Sequence, residues 1–64
     1  MTQKELLYLE DATMHEGNII SICEATIDNL EDEKLISFFE KEIKKHNIMK
    51  RKLINLMEDN VNEW

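Results

Sequence analysis

Two long runs of heptad-like spacing, with almost nothing inside them able to break a helix, decide what this chain can fold into. Leu6, Leu9, Thr13, Glu16, Ile20, Cys23, Ile27 and Leu30 follow one another at alternating three- and four-residue steps. That spacing lines side chains along one face of a helix. Leu35, Phe39, Glu42, His46, Met49, Leu53, Leu56 and Asn60 repeat the pattern, flanked by Phe38, Ile43 and Met57. The chain has no proline and a single glycine, so helix is the expected state almost throughout. Thr2, followed three residues later by Glu5, is a capping-box start ahead of the apolar Leu6. Ala12 and Ile19 widen the first stripe. Gly17 is expected almost opposite it, as a surface glycine, a bend or a point of close approach.

The break comes at "DNLEDEKL". Asp32 can cap a second helix, and Glu31 and Glu33 put negative charge near its positive end. The expected elements are a first helix over about 2–30 and a second over about 32–60 in one domain, 1–64. Each spans roughly 27 residues, about 40 Å at 1.5 Å per residue, and a short connection makes them antiparallel neighbours.

Two helices share only one seam, and a chain of 64 residues buries little apolar surface by itself. The economical remedy is a second copy. The expected architecture is therefore all-α, an antiparallel hairpin that dimerises into a four-helix bundle. Leu9, Ile20, Cys23, Ile27, Leu35, Phe39, Met49, Leu53 and Leu56 are expected to form its core and interface.

Charge narrows the function. The chain carries a net charge of −6, which argues against a nucleic-acid binder. Residues 1–33 hold nine acids against Lys4, and residues 34–64 hold seven bases against five acids. Such halves attract each other within a chain or between copies. Lys50, Arg51 and Lys52 read as a solvated helix face. One cysteine excludes an internal disulfide framework and points to a reducing compartment. No apolar run reaches membrane length and the first residues lack a signal-peptide layout. A cytoplasmic protein with no membrane partner is expected.

Glu16, Glu42 and His46 are the anomaly, because all three stand in the apolar stripes. With a turn near residue 31, antiparallel pairing puts Glu16 opposite His46 and Ile20 opposite Glu42. The three polar groups should converge at mid-bundle and need partners there. Three arrangements satisfy that need. Glu16 and His46 can pair as carboxylate and imidazolium, locking register. The doubled set of a dimer can hold iron or manganese, as in ferritin-like sites built from glutamates and a Glu-x-x-His pair. Here the spacing is Glu42-x-x-x-His46, with Lys45 where that motif has histidine. Lastly, the hairpins can splay and let the groups meet water.

Other residues read as inert. His15 is expected at the stripe's edge and half exposed, Cys23 as an unreactive core thiol, and the internal methionines as core filler. Trp64 either frays or packs on a partner. No glycine-rich phosphate loop, paired-cysteine motif or ordered catalytic triad is present. The expectation is a non-enzymatic protein with no catalytic residue and no cofactor, iron or manganese being the alternative.

The segment "KELLYLEDATMHE", followed about fifteen residues later by "EDEKLISFFEKEIKKHNIMKRKLINLM", resembles the spore coat protein F family of spore-forming bacteria. The resemblance covers roughly residues 4–57. The "LYLED" block, the acidic turn before Leu35, and His46 ahead of a Leu-rich helix end carry it. It implies a ferritin-type helical bundle with a structural or assembly role in the spore coat, self and other coat proteins being the partners. It implies no reaction. Members of that family are longer and tend to carry a second histidine three positions after the first. That place is Met49 here, which weakens the metal reading.

Overall fold

The computed structural model describes residues 1–61. It is a hairpin of two packed α-helices, α1 (Gln3–Ile27) and α2 (Glu33–Val61), with no strand among the described residues. Trp64 lies outside them. The radius of gyration is 14.8 Å, where a compact domain of this length has about 11 Å. The backbone fills a slab of 49 × 15 × 11 Å, one helix thick.

Local chemistry sets the helix limits. Thr2 caps α1 in an extended conformation. Its hydroxyl accepts from the Glu5 N–H at 3.1 Å, and the Glu5 carboxylate accepts from the Thr2 N–H at 2.8 Å. The capping box is thus complete. The hydrogen bond from the Thr2 backbone, with that from its side chain, holds the Glu5 carboxyl below its ordinary pKa.

α1 stops at Ile27, three residues before the expected end, because Asn29 turns the chain. The Asn29 amide donates to the Ala25 carbonyl at 2.9 Å, and its backbone N–H donates to Thr26. The last carbonyls are satisfied this way with no residue at positive φ. Asp32 then caps α2 as expected, its carboxylate accepting from the N–H groups of Lys34 and Leu35 at 2.8 and 3.1 Å.

The seam on α1 follows the expected stripe. Leu6, Leu9, Thr13, Glu16, Ile20 and Ile27 are half-buried, and Cys23, 7% exposed, is the one buried residue among those described. Thr13 enters the seam without a stranded hydroxyl, because it donates to the Leu9 carbonyl at 2.7 Å.

On α2 the seam is rotated from the expected stripe. Phe39, His46, Leu53 and Asn60 are shared by both, but the other inward row is Ile36, Ile43, Lys50 and Met57, all half-buried. Leu35, Met49 and Leu56, expected in the core or interface, are 48, 46 and 51% exposed in the single hairpin. Lys50 explains part of the difference, since a lysine can cover apolar surface with its stem and keep its ammonium wet. It lies over Gly17, where an added Cβ would stand 3.9 Å from the Lys50 Nζ. Gly17 is therefore half-buried on the seam side, not opposite it. Of the methionines expected to fill a core, Met57 is half-buried while Met14 and Met49 are exposed.

Candidate functional site

The polar residues of the seam meet. Glu16 on α1 and His46 on α2 come together through Oε2 and Nδ1, thirty residues apart in sequence. One helical turn before His46, the Glu42 Oε2 stands 3.5 Å from its Nε2. Both imidazole nitrogens thus face carboxylate oxygens. The Glu16 contact is the hydrogen-bonded one, while the Glu42 oxygen stands at ion-pair distance.

The side chains of Glu16, His46 and Glu42 are 18, 23 and 30% exposed. That is enough water contact to keep the charges affordable and enough burial to make the pairing directional. No buried side-chain nitrogen or oxygen among the described residues lacks a hydrogen-bond partner. The convergence follows from the register of the two stripes. His15, by contrast, is exposed and takes no part.

Among the described residues no group of three or more His, Cys, Asp or Glu is arranged to hold an ion.

What the two helices expose is more unusual than what they bury. α1 and α2 run in opposite directions, so the same flank of each seam row faces the same side of the slab. On one side, next to the seam, stand Ala12, Ile19 and Thr26 of α1 and Leu35, Glu42, Met49 and Leu56 of α2. Just beyond them come Tyr8, His15 and Ile22 on α1 and Phe38 and Lys45 on α2. Of the ten exposed large apolar side chains among the described residues, seven lie on this side: Tyr8, Ile19 and Ile22 of α1, with Leu35, Phe38, Met49 and Leu56 of α2. Phe38 stands edge-on to the seam residue Phe39, ring centroids 5.3 Å apart, so this face is continuous with the core. On the other side the matching positions are Glu10, Gly17 and Glu24, with Glu40, Asn47 and Ile54. The hairpin has one apolar face and one polar face.

Glu42 belongs to the apolar side, so the Glu16–His46–Glu42 group opens onto that face near the middle of its length. Sequence reasoning found the group and much of the face, since Ile19, Leu35, Phe38, Met49 and Leu56 stand in or beside the expected stripes. Tyr8 and Ile22 lie outside a two-row stripe and were missed.

Comparison of the chain with protein-family models, with curated proteins and with solved structures finds no match. No helix among the described residues is long and apolar enough to cross a membrane.

Proposed function

We propose that this protein is a small, non-enzymatic assembly protein that acts by binding a second copy of itself. Two hairpins close their apolar faces on each other as a four-helix bundle of ferritin-like layout. The observation that carries this reading is the one-sided exposure of seven large apolar side chains over a core with one buried residue. A hairpin so built hides its apolar surface only when another layer covers it.

The face has the right size. Its backbone outline of 49 by 15 Å corresponds to roughly 700 Å², close to the ~800 Å² per partner of a standard stable interface. Its shape suits a copy of itself, since a flat apolar face with a polar centre is self-complementary about a two-fold axis. The Glu16–His46–Glu42 groups of the two copies come to the same height and act as a polar register element. The likeness of residues 4–57 to the spore coat protein F family is what supports placing this assembly in the spore coat, with other coat proteins as further partners.

The experiment is a thermal melt across a hundredfold range of protein concentration. A fold completed by a second copy has a midpoint that rises with concentration. A midpoint that does not move contradicts self-association as the basis of the fold.

A further inference from the structure

Three exposed apolar side chains lie off the apolar face: Leu7, Met14 and Ile48. Each sits in a charged setting, and the settings are opposite. On α1, Leu7 and Met14 bracket Glu10 and Asp11, four residues that share one face at three- and four-residue steps. On α2, Ile48 sits in a groove lined by Lys44, Arg51 and Lys52 together with Ile43, Asn47 and one acid, Glu40. Lys41 extends the same back surface, and Lys45, one heptad after Phe38, stands at its edge toward the apolar face. None of these five cations is ion-paired among the described residues. Lys41 stands three and four residues from Lys44 and Lys45, spacings at which like charges repel on a helix. A chain of net charge −6 thus carries a ridge of five cations with a single acid, Glu40, in its groove.

We propose that the back of α2 binds the acidic-apolar patch of α1 from another copy. Leu7 and Met14 pack beside Ile48, while Glu10 and Asp11 meet Lys44 and Arg51. The heights agree: with Glu16 level with His46, the α1 patch is offset from the α2 ridge by only about four residues, or about 6 Å. A neighbour laid alongside in the same orientation sets α1 against α2 nearly in step. The contact joins two different surfaces, so each copy keeps one free patch and the contact repeats into an open row. It rests on the assembly reading only in taking the partner to be another copy, and it leaves the apolar face free.

The test is sedimentation of the full chain at low salt and at 0.5 M salt, where the screening length shrinks to a few ångströms. The ridge variant Lys44→Glu/Arg51→Glu and the patch variant Glu10→Lys/Asp11→Lys are run alone and as an equimolar mixture. The expected result is a species several-fold heavier than a dimer for the unmodified chain at low salt, lost at high salt. Each variant alone should not form it, and their mixture should recover it, because each supplies the surface the other needs. An unmodified chain that gains no mass at low salt overturns the proposal. So do variants that assemble unaided, or a mixture that does not recover. DNA or anionic vesicles bound through the ridge with no heavier self-species also overturn it. A two-chain mass kept by both variants at high salt reports the apolar face separately. A one-chain mass at high salt with reciprocal assembly at low salt would remove the dimer and leave the row.

Discussion

His46 is the side chain on which most of the seam's chemistry turns. Its ring faces Glu16 across the hairpin and Glu42 along its own helix. Replacing it with leucine leaves Glu16 half-buried and unpaired. Removing one partner of such a pair costs more than the pair contributes, because the stranded charge keeps its desolvation penalty. The single change His46→Leu should destabilise by about 2–3 kcal/mol, read from urea unfolding. The double change Glu16→Leu/His46→Leu should recover most of that loss or exceed the native stability. A single variant as stable as the parent would show that Glu16 is fully solvated. At this scale the sequence was legible: two polar residues in apolar stripes, placed opposite each other by the turn, were bound to meet.

The helices were legible in kind and only partly in orientation. No proline, one glycine, a Thr2–Glu5 capping box and an Asp32 cap dictate two helices and a turn. The seam on α2 is ambiguous because two rows compete. Phe39, His46, Leu53 and Asn60 fit either arrangement, and both Leu35/Glu42/Met49/Leu56 and Ile36/Ile43/Lys50/Met57 flank them at heptad spacing. Each row has three apolar residues and one charged one, so hydrophobicity alone does not choose. The fold chooses the row whose charged member is a lysine able to reach solvent over Gly17. The distinction is testable. Ile43→Asp puts a charge in the seam and should remove several kcal/mol, unfolding the helices in circular dichroism. Met49→Asp puts it on the apolar face and should leave a single hairpin's seam intact while halving the mass in solution. The reverse ranking would restore the unrotated stripe.

Across the whole molecule, the slab is one helix thick, has a single buried residue among those described, and turns most of its exposed apolar side chains to one side. The proposed dimer makes this shape half of a bundle. The charge pattern, with acids concentrated on α1 and the turn and bases on α2, is the basis of the second contact proposed above. In the proposed assembly both features serve one economy, since a short chain that buries little of its own core gains by covering it with copies of itself. The rival reading keeps the dimer but fills its centre with iron or manganese held by Glu16, Glu42 and His46 from both copies. Metal analysis of protein purified without chelator separates the two readings. The assembly reading predicts well under one metal per two chains and helicity indifferent to EDTA. About one metal or more per two chains, with helicity lost on chelation, would support the rival.

The apolar face is the element from which the rest of this picture follows, and sedimentation equilibrium at micromolar concentration and 0.5 M salt reads it most directly. The predicted mass is twice the 7.7 kDa of the chain. A fully helical, cooperatively folded species of 7.7 kDa would contradict it.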